Sequence, residues 1–230
     1  MTRIAGVDGA RGGWVAVVAE KDGRPRELRF VGKFADLLKG GEFDLIAVDM
    51  PMGFPDIAQK GGRDCERAAR AALPGKTSSV FSAPSRKALA ARDYRDACTR
   101  NGNGIGLSRQ AFNLFPKMRE LDAVVRKRPK CRIVEAHPEL GFARLAGSPV
   151  LEMKKTPEGR KRRLTLLAAN GMSDIADWLD LLPRRLVAPD DVIDAAVVCL
   201  AALRIAAGKG ECLPAAPPED RFGIPMAIWR

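Results

Sequence analysis

The stretch Ile4-Ala5-Gly6-Val7-Asp8-Gly9-Ala10-Arg11-Gly12-Gly13-Trp14-Val15-Ala16-Val17-Val18 decides the reading of this chain. It reads as a buried strand, a glycine-rich reversal and a second strand. Asp8 interrupts the apolar run of the first strand, and a carboxylate there is costly to bury unless a cation or hydrogen bonds compensate it. Asp-Gly is also a common turn pair. Acids recur at comparable places further along, and that recurrence favours a functional role for Asp8.

Working outward, Asp22-Gly23 signals a hairpin turn and Glu27 to Val31 fits a third strand. Phe34, Leu37 and Leu38 suit one face of a short helix. Leu45-Ile46-Ala47-Val48 is a short continuous apolar run, the mark of a strand covered on both faces. It stops at Asp49, and Pro51 cannot join a ladder. Cys131-Arg132-Ile133-Val134 repeats the pattern, closed by Glu135 and followed by His137-Pro138. A meander of three strands, then two strands that each follow a helical segment, predicts a mixed five-stranded sheet of the α/β class. Residues from about 56 to 129 read as a helical insertion within one domain spanning 1–230. The spacing predicts helices over 63–73 and 86–98, with Ser108 capping another and Met118, Leu121 and Val125 forming a core stripe. Thr156 is an N-cap with Pro157 at the first helical position. The last strong element, Asp190 to Ala207, is apolar nearly all round and therefore buried. It carries Asp191 and Asp194 three apart, on one face.

The chain has 230 residues, of which 46% are hydrophobic, enough for a sizeable core and too many for disorder. Its 39 Lys and Arg against 28 Asp and Glu give a formal charge of +11, which favours a polyanionic partner such as nucleic acid. The five cysteines are odd in number and scattered without zinc-ligand spacing, so reduced thiols in a cytoplasm are expected. Met1-Thr2-Arg3 leads directly into a strand, which predicts no signal peptide, and no apolar run is long enough to span a bilayer.

If the parallel strands are neighbours, Asp8, Asp49 and Glu135 share one sheet edge, and the buried helix adds Asp191 or Asp194. Clustered carboxylates repel one another unless some protonate or a cation joins them. Oxygen-only ligands suit Mg²⁺ or Mn²⁺ rather than zinc. Such ions serve phosphodiester cleavage. His137, the single histidine, is a ligand or proton shuttle, or else a local turn residue. Arg11, Lys154, Lys155, Arg160, Lys161 and Arg163 are candidates for phosphate contacts, though the later cluster reads first as a solvated charged face.

With these residues in view, the chain resembles the ribonuclease-H-like superfamily, and Asp191-Val192-Ile193-Asp194-Ala195 looks like the acidic last helix of its Holliday-junction-resolvase branch. More closely it resembles the bacterial family called domain of unknown function 429. The matching segments are Gly6–Trp14, Asp49-Met50-Pro51-Met52-Gly53, Ser78-Ser79-Val80-Phe81, Ser108-Arg109-Gln110-Ala111, Glu135–Glu139, Lys155–Gly159 and Asp190–Ala195. The resemblance implies a ribonuclease-H-like fold and a metal-dependent nuclease. Asp8, Asp49 and Asp191 or Asp194 would hold the metal, and Glu135 would assist. The chain departs from the resolvases in carrying Asp49 where they have glutamate. Two other readings stand beside this one. A nucleotide-binding phosphotransferase of the actin and sugar-kinase type would use the glycine-rich first hairpin. A non-catalytic nucleic-acid or protein-binding module would keep the acids for stability.

Overall fold

The apolar alternation of the opening stretch becomes β1 (Arg3–Ala10) and β2 (Gly13–Glu20), antiparallel and joined by the two-residue turn Arg11–Gly12. This is a computed structural model, and it describes residues 3–20 and 22–230. Met1 and Thr2, read from sequence as leading straight into the first strand, lie outside the described residues. β3 (Pro25–Val31) adds to β2, α1 (Phe34–Leu37) follows, and β4 (Phe43–Val48) returns parallel to β1.

Five helices come next: α2 (Asp64–Ala71), α3 (Arg86–Leu89), α4 (Tyr94–Asn101), α5 (Arg109–Asn113) and α6 (Phe115–Val125). The single helix expected over 86–98 is two. α3 stops at Leu89, and the Asp93 carboxylate restarts the chain by accepting from the Asp96 amide at 2.9 Å. A side chain that offers the backbone its first bond favours a new helix start over continuation.

β5 (Arg132–Glu135) lies parallel to β4 and completes a mixed five-stranded sheet in the order β3-β2-β1-β4-β5. That arrangement is consistent with the ribonuclease-H-like fold. α7 (Pro138–Ala146), α8 (Pro157–Ala168), α9 (Ile175–Trp178) and α10 (Pro189–Ala206) follow. Two short strands close the chain, β6 (Cys212–Leu213) and β7 (Ile228–Trp229), which pair with each other.

The chain divides into two compact units. One comprises the residues up to Met50, Pro129–Glu211 and Trp229–Arg230, and holds the five-stranded sheet. Period-two alternation sorts its strands into two faces. Ile4, Gly6, Asp8 and Ala10 share a face with Leu45 and Ala47 of β4 and with Val134 and Ala136, and α10 covers that face. Trp14 lies on the other face, its ring edge-on to Phe34 of α1. α10 is buried from Val192 to Ala202, as its uniformly apolar sequence requires. Among the described residues no helix is long and apolar enough to cross a membrane.

The second unit comprises Pro51–Arg128 and Cys212–Ile228. Its helices are short and its interior polar contacts numerous. Arg63 and Glu66 form a fully buried ion pair at 2.7 Å. Arg86 bonds the carboxylates of both Asp122 and Asp220 and stacks on Phe54 and Phe222. Of the predicted core stripe on α6, Met118 and Leu121 are fully buried and Val125 is half-buried.

Candidate metal centre

Asp8 sits near the end of β1. Asp49 follows the last residue of β4, with its amide still donating to Val7 at 2.9 Å, so the ladder carries the two aspartates side by side. Both point to the α10 face. Asp194 reaches them because α10 lies against β1 at Gly6. A Cβ on Gly6 would stand 2.0 Å from the Cys199 nitrogen and 2.3 Å from the Ala195 oxygen, so only glycine permits this approach.

The result is a group of three carboxylates, Asp8, Asp49 and Asp194, whose ligand-capable oxygens lie within 4.8 Å of one another. Asp194 is 3% exposed and Asp8 9%. Asp8 Oδ1 accepts a 2.6 Å bond from the Gly9 amide. Lys154 donates to Asp194 Oδ2 at 2.7 Å, from a segment 40 residues earlier. That segment is fixed by α8. Thr156 Oγ1 caps the Gly159 amide at 3.1 Å, and Gly159 has no Cβ because one would meet the Met153 oxygen at 2.0 Å.

Burial pushes the Asp8 carboxyl well above the usual carboxylate range, and the charges of Asp49, Asp194 and Asp191 push it further. Burial likewise raises Asp49, to about 8, with Asp194 and Glu139 adding to the rise and Lys154 opposing it. Asp194 is raised by burial despite the Lys154 ammonium. For Lys154, burial alone would lower the pKa, but the three carboxylates hold it above the ordinary lysine range.

Asp191 stands outside the group of three. Its Oδ2 accepts from the Ala188 amide at 2.9 Å, which closes the first turn of α10. Glu135 is not brought to the centre. It is buried in register with Val48, between Val134 and Ala136, which both face α10, so its side chain lies on the opposite face of the sheet. His137 remains extended at the N-terminus of α7 and is not among the clustered ligands. Arg11 is exposed at the hairpin tip, and Lys155 is exposed on the surface. Arg160 lies 3.6 Å from Asp190.

Arg163 is a correction to the phosphate-contact expectation, because it is 1% exposed. Its guanidinium bonds both oxygens of Glu139 at 2.8 and 3.1 Å and the Glu152 carbonyl at 2.9 Å. This pair ties α7 to α8 behind the centre. The sequence reading gave Glu139 no role. Its one available signal is that Pro138-Glu139 opens a helix just after a strand end, which the helix dipole explains equally well.

Three carboxylates with converging oxygens and no sulfur or imidazole are a donor set for a hard cation, and the residues present fit one. A family described as "Protein of unknown function (DUF429)" matches residues 6–219 of the chain. No curated protein and no solved structure matches it.

Proposed function

The chain belongs to the DUF429 family, and from its acidic centre we propose a metal-dependent nuclease that hydrolyses nucleic-acid phosphodiester bonds. The observation that carries this reading is the convergence of Asp8, Asp49 and Asp194, with oxygens within 4.8 Å, at the C-terminal edge of parallel strands. Open α/β sheets place their ligands at that edge.

Asp8, Asp49 and Asp194 would hold Mg²⁺ or Mn²⁺. A cation bound there supplies Lewis-acid stabilisation of the charge that develops on the phosphoryl oxygens. The chain's own groups do the rest. Lys154, its side chain 43% exposed, keeps an ammonium beside the centre and meets an arriving phosphate. Glu139 and Arg163 hold α7 and α8 in place, and so fix the segment that carries Lys154. A groove of about 400 Å³ on α8, lined by Lys155, Pro157, Arg160, Lys161, Leu164 and Thr165, offers further cationic contacts to a phosphate backbone. Arg11 at the hairpin tip adds another. Burial of the carboxylates keeps bulk water from competing for the cation.

The phosphotransferase reading has less support. The first turn is only two residues long, and its Gly12 amide is already donated to the Leu186 carbonyl at 3.3 Å rather than left for a phosphate.

The test is cleavage of labelled single-stranded and duplex DNA, RNA and a four-way junction with Mg²⁺, Mn²⁺ or chelator. Wild type and Asp49→Asn, purified identically, are run in parallel. Metal-dependent cleavage that Asp49→Asn abolishes supports the reading. Equal cleavage by both proteins assigns it to a contaminant, and absence of cleavage on every substrate overturns it.

A further inference from the structure

We propose that the unit formed by Pro51–Arg128 and Cys212–Ile228 contains a binding site for a nucleobase, in the cavity lined by Gln59, Ser78, Phe81, Ser82, Ser108 and Gln110. The cavity measures about 320 Å³, the lower end of the range for small-molecule sites and enough for a base with its sugar. No charged side chain lines it, in a chain carrying 39 Lys and Arg and 28 Asp and Glu. A phosphate or a carboxylate therefore finds no counter-ion among the lining side chains, and the nearest cations, Arg67 and Arg70, are spent on Gln59 and Ser82, which favours a neutral occupant.

Its polar side chains are three carboxamides, Gln59, Asn101 and Gln110, and three hydroxyls around one aromatic ring. A carboxamide presents a donor and an acceptor side by side, which is the pattern along the edge of a base. Unstacked bases are recognised by such edge bonds together with stacking on an aromatic face. Among the described residues, the Gln110 amide and the Ser78 hydroxyl make no hydrogen bond within the protein. The Ser108 oxygen accepts from Ala111 at 3.0 Å, which leaves its hydroxyl hydrogen to donate.

The walls are built rather than incidental. Glu66, 1% exposed, accepts from the Ala83 amide at 2.8 Å while paired to Arg63. Arg70 donates to Ser82 Oγ and to the Val80 carbonyl, both at 2.9 Å. Asn101, 1% exposed, accepts from the Ser85 amide at 2.8 Å and donates to the Ile105 carbonyl at 2.9 Å. Buried ion pairs and amides are a poor route to stability compared with apolar packing. Here they fix the backbone on both sides of the cavity; Asn101 spends its amide on these walls and Gln59 Oε1 accepts from Arg67 at 3.5 Å, which among the described residues leaves the Gln59 NH₂ and the Gln110 carboxamide for a ligand. This site uses none of the metal-centre residues, so its test is run in chelator and stands whatever becomes of the nuclease reading.

The experiment is a two-dimensional NMR titration of the whole chain that follows the side-chain NH₂ signals of Gln59 and Gln110. The probes are the four ribonucleosides, short single-stranded tetranucleotides and inorganic phosphate. Shifts of these signals with a nucleoside assign the site to free nucleosides, and shifts with a tetranucleotide alone assign it to a base within a strand. Either supports the proposal when Gln110→Ala, whose side chain is exposed and outside the core, weakens binding at least tenfold with the rest of the spectrum unchanged. Phe81→Leu is expected to weaken it comparably. No shift with any base-containing probe, equal shifts with phosphate, or binding that survives Gln110→Ala overturns it.

Discussion

Raising the pH of the metal-free protein from 5 to 8 should destabilise it, which is the reverse of the behaviour of ordinary salt-bridged carboxylates. Asp49 has its pKa raised from 3.8 to about 8, first by burial and then by Asp194. The folded state therefore binds a proton that the unfolded state has already released. Stability from such a group is fully present below the unfolded pKa and is lost as pH rises through the folded one. Each unit corresponds to about 1.4 kcal/mol, so three units of pH remove up to about 4 kcal/mol. For a chain of this size that lowers the melting midpoint by on the order of 10 °C. Acids held below their usual range, among them Glu27 and Glu42 by the Arg29 side chain and Asp220 by Arg86 against its burial, lose their contribution only in more acidic solution and stay flat in this window. The assay is thermal melting in chelator at half-unit steps of pH, with Asp49→Asn alongside. Asp49→Asn should flatten the slope. Saturating Mn²⁺ should oppose it, because a ligand bound only to the native state adds about 2.7 kcal/mol at a hundred times its Kd. A midpoint that is constant or rises between pH 5 and 8, or an Asp49→Asn protein that keeps the full slope, refutes the reasoning.

Three further outcomes are expected. Gly6→Ala forces a Cβ into the backbone of α10, so it should cost several kcal/mol and, by moving Asp194, weaken metal binding; unchanged melting would show that the helix can retreat freely. Arg163→Ala leaves the buried Glu139 carboxylate unpaired, and chemical denaturation should show a loss of about 3–5 kcal/mol, with a loss under 1 kcal/mol counting against a structural role. Binding to single- and double-stranded nucleic acid should weaken steeply with salt, given the +11 charge, and an affinity that is equal at low and moderate salt in a fluorescence-anisotropy titration would exclude a phosphate-tracking surface.

Much of the sheet could be read from the sequence because its signals are local. An apolar run ending in an acid, with proline soon after, locates a strand end whatever it pairs with, and this placed Asp49 and Glu135 at β-strand ends, while Asp8 stood out as a carboxylate interrupting an apolar strand. The uniformly apolar α10 required burial, and an aspartate inside it had to meet a partner. What the sequence hid depends on pairing. Glu135 is the last residue of its strand while Asp49 follows the last residue of β4, so Glu135 lies one register step earlier, opposite Val48, and one step reverses the face. Asp191 and Asp194 share a helix side, but Asp191 falls where the first turn leaves an amide to be satisfied, and its oxygen goes there. Lys154 read as one cation in a basic run, because its partner is 40 residues away. The break between α3 and α4 turned on a capping bond that helical periodicity does not register.

Charge balance separates the aspartate centre from the other buried ion pairs in the chain. Arg63 answers Glu66 one to one, and Arg163 answers Glu139 in the same way. Arg86 faces both Asp122 and Asp220, but Arg126 also stands 3.9 Å from Asp122, so two cations meet two anions. Among the described residues, Asp8, Asp49 and Asp194 have one ion-pair partner, the Lys154 ammonium, against three carboxylates. The surplus is two negative charges in a site where burial makes each costly. A +11 chain has no shortage of cationic side chains with which to close it. Protons can relieve the excess, and the raised pKa values of all three aspartates are that relief. A divalent cation relieves it as well and must displace those protons to do so, so affinity for the ion has to rise with pH over the interval in which the metal-free fold weakens. The two trends share one cause, the cost of burying carboxylates that the protein itself leaves unpaired.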